Sequence, residues 1–286
     1  MSEIVVHTDG VALSGEDSGV GDAAPGPVGD TSPIVQLHGL TATRRYVTMG
    51  SRTLERSGRR VIAYDARGHG RSMPAPDRAY GYERLATDLR AVLDSAGVRR
   101  AVLAGVSMGA HTAVRLALES PERVAGLVLI TPAYEPSSLG AKQYMARWDA
   151  LAQGLREEGV DGFVRANRLE TLPEAWREIV DVALRQRMSG HEHLDAVAVA
   201  LEAVPRSRPF EDMAQLATIA VPTVIVASRD EADPLHPLAV GERYAQLIPG
   251  ARLVVEEAGP PARSPIAWQG GQISKVIAEL AANLRM

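Results

Sequence analysis

The sequence predicts an α/β protein, built on a mostly parallel eight-stranded sheet with helices on both faces. Three observations carry this. Short apolar runs alternate with amphipathic helical patterns along most of the 286 residues. The pentapeptide Gly105-Val106-Ser107-Met108-Gly109 stands between an apolar run and a helical pattern, which reads as strand, sharp turn and helix. Between about Thr131 and Gln215 the alternation stops and the pattern is helical throughout.

The elements follow in order. Ile4–His7 and Val11–Ser14 read as strands joined at Asp9-Gly10, a hairpin turn signal. Residues 15–32 are rich in Gly, Ala, Asp and Pro and read as a surface loop. Strands are expected at Ile34–Leu37, Val61–Tyr64, Ala101–Val106, Val124–Ile130, Val221–Ala227 and Leu253–Val255. Helices are expected at Arg44–Ser57, Tyr82–Ala96, His111–Ser120, Leu238–Leu247 and Ile273–Leu284. In Tyr82–Ala96, Leu85, Leu89, Val92 and Leu93 share one face. The helical stretch contains Lys142–Glu158, Val160–Leu169, Glu174–Met188 and His193–Val204, punctuated by Pro132, Pro173 and Pro205. It is read as an insertion after the sixth strand, at the carboxyl ends of the strands where open α/β sheets bind ligands. This divides the chain into a core of residues 1–131 and 214–286 and a helical cap of residues 132–213. The insertion supplies Trp148 and Trp176, candidates for lining an apolar substrate pocket or for its own core.

Composition excludes several classes. Net charge is -4 with no basic block, so neither nucleic acid nor an anionic membrane is an expected partner. Only Lys142 and Lys275 are lysines; the other 29 of 31 basic residues are arginines, a bias rather than a patch. The absence of cysteine rules out disulfides, thiolate metal sites and a thiol nucleophile. The His191-Glu192-His193 run is a poor metal site, because residues two apart on a helix point to different faces. No Gly-x-Gly-x-x-Gly follows an early strand, so no dinucleotide cofactor is expected. The first residues lack a signal-peptide layout and no apolar run approaches membrane-spanning length, so a cytoplasmic protein is the default expectation. The helical insertion and the terminal helix offer surfaces for a homodimer.

Four segments together resemble the α/β-hydrolase superfamily, of the capped, serine-nucleophile type, over residues 30–286. These are Leu37-His38-Gly39-Leu40, Asp65-Ala66-Arg67-Gly68-His69-Gly70-Arg71-Ser72, the pentapeptide at 105–109, and Val221–Ala227 followed by Asp233-Pro234-Leu235-His236-Pro237. The resemblance implies the α/β-hydrolase fold and acyl-transfer chemistry on a small, largely apolar ester, thioester or C–C bond. It makes Ser107 the nucleophile and the backbone N–H groups of Leu40 and Met108 the oxyanion donors. Asp233 is the preferred acid, ahead of Asp230 and Glu135. His38, Asp65 and His69 are expected to brace loops.

The family's base is a histidine in the loop after the last strand. Here Pro260 occupies that position, and no histidine follows His236. Loss of a triad histidine costs on the order of a million-fold in turnover, while an oxyanion hole alone retains on the order of a thousandfold over water. Either another histidine substitutes, with His236, His191 and His193 ahead of His111, or the triad is degenerate and efficient hydrolysis is lost. In the second case the fold would bind a small molecule or run lyase-type or decarboxylase-type chemistry, with Arg263, Trp268 and Gln269 of the replaced loop available to a polar ligand group.

Overall fold

The computed structural model describes residues 1–19, 32–229, 233, 235–256 and 270–284. One sheet holds eight strands: β1 (Ser2–Thr8), β2 (Val11–Asp17), β3 (Ile34–Leu37), β4 (Val61–Tyr64), β5 (Ala101–Val106), β6 (Val124–Ile130), β7 (Thr223–Ala227) and β8 (Arg252–Val255). Their spatial order is β1-β2-β4-β3-β5-β6-β7-β8. The β1–β2 and β2–β4 pairs are antiparallel and every other pair is parallel. The first hairpin turns at Asp9 and Gly10, whose φ values of 40° and 74° are those its primed turn requires.

β3, β4 and β6 are buried along their whole length, as expected of strands covered on both faces. Side chains alternate between two cores. From β5, Ala101 and Leu103 enter the larger core, and Val102 and Ala104 the smaller one. The larger core is shared with α2 (Tyr82–Ser95), α3 (Met108–Glu119) and α7 (Leu238–Leu247). The smaller is closed by α1 (Thr53–Arg56) and α8 (Gly270–Ala282). Between β6 and β7 lie α4 (Lys142–Ala166), α5 (Glu174–Met188) and α6 (Leu194–Ala203), and α6 buries Val197, Ala198, Ala200 and Leu201 in the larger core.

The departures from expectation have local causes. The expected helix at 44–57 is a 3₁₀ turn, Arg44–Tyr46, followed by the short α1. Left-handed backbone at Met49 and Gly50 separates the two. The side chain and backbone N–H of Arg44 are also committed to Asp65. β2 runs on to Asp17 because Gly15, Glu16 and Asp17 pair with β4. The expected helices at 142–158 and 160–169 are present within α4, parted by non-helical backbone at Glu158 and Gly159, and the second ends at Ala166 rather than Leu169.

Candidate active site

The turn between β5 and α3 holds Ser107 at φ 48° and ψ −108°, a sparsely populated conformation for a residue with a side chain. Its two glycines are dictated by space. A Cβ on Gly105 would lie 2.3 Å from the backbone of Gly109, and one on Gly109 would lie 2.3 Å from the carbonyl oxygen of Leu37. The Ser107 N–H donates to Ile130 O on β6 (2.9 Å), and its carbonyl accepts from His111 N (3.0 Å), opening α3. The hydroxyl is thereby held at the carboxyl end of the central strands.

The loop after β7 meets that hydroxyl. His236 Nε2 lies 2.9 Å from Ser107 Oγ, and His236 Nδ1 lies 2.8 Å from Asp233 Oδ2. A carboxylate only accepts, so Nδ1 carries the proton and donates to Asp233. Nε2 is then left with its lone pair facing the serine hydroxyl. Turn hydrogen bonds set the pairing: Asp233 N to Arg229 O (3.0 Å) and His236 N to Asp233 O (3.1 Å). Asp230, Pro260, Arg263, Trp268 and Gln269 lie outside the described residues. Glu135 pairs instead with Arg243 at the surface.

The other histidines considered for the base are engaged elsewhere. His111 Nε2 accepts from Ala133 N (3.0 Å) and Tyr134 N (3.1 Å), and its Nδ1–H faces Tyr82 Oη (3.0 Å). His191 Nδ1 accepts from Gly70 N (2.9 Å). His193 precedes α6 and no described contact ties it to Ser107. Burial drives His111 and His191 down to about 3, so both rings are neutral.

The loop after β3 is braced as expected. His38 Nε2 accepts from Ala66 N (2.9 Å) and its Nδ1–H donates to Gly39 O (2.8 Å); burial takes this ring to about 3. His69 spans Arg67 O (2.9 Å) and Leu40 O (2.7 Å), tying the Leu40 peptide to the loop after β4. Buried Asp65 accepts from Arg44 N (2.8 Å) and pairs with the Arg44 guanidinium. Among the described residues the backbone N–H groups of Met108, which follows Ser107, and of Leu40, which follows Gly39 packed against Ser107, have no partner.

Trp148 is half-buried on α4, edge-on to Tyr144 at 6.0 Å, with its indole N–H buried and unpartnered among the described residues. Trp176 is half-buried on α5. No described hydrogen bond or ring contact ties either tryptophan to Ser107. Arg187, at the end of α5, does reach the loop after β3, through Nη1 to Thr41 Oγ1 (3.3 Å). Nothing in the sequence marks it, because one arginine among 29 carries no distinguishing signal. No group of three or more His, Asp or Glu side chains among the described residues could hold a metal ion. No described helix is long and apolar enough to cross a membrane.

Residues 32–176 match the family model for the alpha/beta hydrolase fold. A 2-hydroxy-6-oxononadienedioate/2-hydroxy-6-oxononatrienedioate hydrolase of Pseudomonas putida is 33% identical over 235 residues, 78% of each chain. A thermophilic esterase from Thermogutta terrifontis superposes with a TM-score of 0.75 over 100% of both chains, at 24% identity. The enol-lactonase from Burkholderia xenovorans LB400 gives 0.70 over 99% of this chain and 100% of the other, at 23% identity. At those identities the two structures share the fold, whereas the family model and the Pseudomonas relative extend to sequence. From the elbow, the loops and these matches together, the chain belongs to the α/β-hydrolase family.

Proposed function

We propose that the chain is a capped serine hydrolase that cleaves a small, largely apolar ester, thioester or C–C bond through Ser107. Asp233 and His236 complete its triad from a single loop. The observation that carries this is the run of contacts Asp233–His236–Ser107 at 2.8 and 2.9 Å. In the proposed reaction Ser107 Oγ attacks the substrate carbonyl as its proton passes to His236 Nε2. Asp233 holds the ring in the required tautomer and stabilises the imidazolium that forms. The N–H groups of Leu40 and Met108 receive the developing oxyanion. His236 then returns the proton to the leaving group, and water releases the acyl group by the same route reversed.

Residues 132–213 act as the cap over a core of 1–131 and 214–286 in this reading, with Trp148 and Trp176 as candidate pocket walls. The relatives support a hydrolytic reaction on a small molecule: one is named for a 2-hydroxy-6-oxo dienedioate, one is an esterase and one is an enol-lactonase. The opposing reading, a fold that has lost hydrolysis, draws on Pro260 in place of the usual histidine. It requires that no base reach Ser107, and a base at His236 weakens it.

Purified protein is expected to hydrolyse p-nitrophenyl butyrate, with the Ser107→Ala variant falling to the background rate. A rate that survives this substitution would refute the assignment.

A further inference from the structure

The two most deeply buried arginines of this fold each come with a carboxylate. Arg67 lies against Asp88 at 2.8 Å, and Arg44 pairs with Asp65 and with Glu16. Arg187 and Arg147 do not follow that pattern, each having a buried Nε–H without a hydrogen-bond partner among the described residues, and of the two Arg187 reaches the loop after β3. Its guanidinium lies between α5 and the loop after β3, with Cζ 5.9 Å from the centre of the Tyr46 ring and Nη1 on Thr41 Oγ1. Among the described residues the Nε–H is buried without a hydrogen-bond partner, and no carboxylate lies within ion-pair distance. Asp233 is near enough for its charge to act on Arg187, but its carboxylate is bonded to His236. Burial lowers the guanidinium from its ordinary range, yet an arginine remains protonated in a folded protein.

A desolvated cation without a counter-charge carries a large cost, and proteins retain one where a ligand supplies the missing charge. Place and shape define that ligand. Thr41 follows Leu40, an oxyanion donor, and Asp233 belongs to the triad, so Arg187 lies between the two loops that converge on Ser107. With Nη1 on Thr41, no hydrogen bond among the described residues engages Nε or Nη2, and that edge presents two parallel N–H groups matching the two oxygens of a carboxylate.

Resting on the hydrolase reading, we propose that the substrate carries a carboxylate, held by the Nε–Nη2 edge of Arg187 while its scissile carbonyl lies at Ser107. The substrate class is then a half-ester of a small dicarboxylic acid or a lactone acid, rather than a simple neutral ester.

The test is calorimetric binding to the inert Ser107→Ala protein, comparing monomethyl glutarate with the neutral ester methyl butyrate. The acid is expected to bind roughly 30-fold or more tightly than the neutral ester, and Arg187→Met in the same background is expected to abolish that preference. Equal affinities, no measurable binding of either ester, or a preference that survives Arg187→Met would overturn the proposal. A second readout separates recognition from structural support. Without ligand, Arg187→Met removes an unpaired buried charge and is expected to raise the melting temperature; a fall would mark Arg187 as structural and overturn the assignment. Binding is measured without turnover, so its failure leaves Ser107-dependent hydrolysis standing, and loss of hydrolysis with binding intact would instead refute the proposed function.

Discussion

At the scale of single residues, the direction of each hydrogen bond separates the candidate base from the other histidines. A general base needs an unoccupied lone pair aimed at the proton it takes. In His38 that lone pair accepts from Ala66 N, in His111 from Ala133 N and Tyr134 N, and in His191 from Gly70 N. His236 differs because its Nδ1–H is spent on Asp233, which leaves Nε2 facing Ser107 Oγ. In the proposed mechanism Asp233 therefore acts on tautomer as well as charge. Asp233→Asn preserves size but offers an amide N–H2 toward Nδ1, favouring the ring with its proton on the wrong nitrogen. Turnover is expected to fall by roughly a thousand- to ten-thousandfold with little change in KM, as measured by steady-state ester kinetics. An unchanged turnover number would remove Asp233 from the mechanism.

At the scale of elements, legibility follows from how local the determining physics is. The elbow is local: Gly105 and Gly109 are required by backbone contacts within five residues and one neighbouring strand, so the pentapeptide declares it. β5 and β6 are equally plain, since burial on both faces writes an unbroken apolar run. The stretch 44–57 has the composition of a helix, but Arg44 is drawn to Asp65, 21 residues away, and the backbone turns left-handed at Met49 and Gly50. Nothing within the segment signals either event. The proposed base is a subtler case. Asp233 and His236 stand three apart in the sequence, yet their pairing depends on how the loop after β7 turns, through Asp233 N to Arg229 O and His236 N to Asp233 O. The family pattern directs attention to the loop after β8, and only the turn geometry brings His236 to Ser107. Arg187 was illegible for a different reason: its meaning lies in a missing partner, which a sequence does not display.

At the scale of the whole molecule, three buried neutral histidines join segments that lie far apart in the sequence. His38 links the loops after β3 and β4, His191 ties the segment before α6 to Gly70, and His111 joins α3 to Tyr82 on α2 and to the chain leaving β6. Burial holds each at about 3, against an ordinary value of 6.5. Between those values the unfolded chain binds protons that the folded chain does not. The stability is therefore complete above about pH 6.5 and is lost as pH falls toward 3. Each histidine contributes a slope of about 1.4 kcal/mol per pH unit inside that window, or roughly 4 kcal/mol per unit for the three. The melting temperature is expected to hold steady from pH 8 to 7 and to drop steeply below pH 6 in differential scanning calorimetry. A flat profile down to pH 4 would mean that these rings are not kept neutral by the fold.

The central claim is that the proton of Ser107 passes to His236, on the loop that also carries the acid. The most direct measurement is the second-order rate of Ser107 labelling by a fluorophosphonate, compared between the parent protein and His236→Ala. The parent is expected to label rapidly and His236→Ala at least roughly a thousandfold more slowly, with unchanged melting behaviour. Equal rates in the two proteins would contradict the claim.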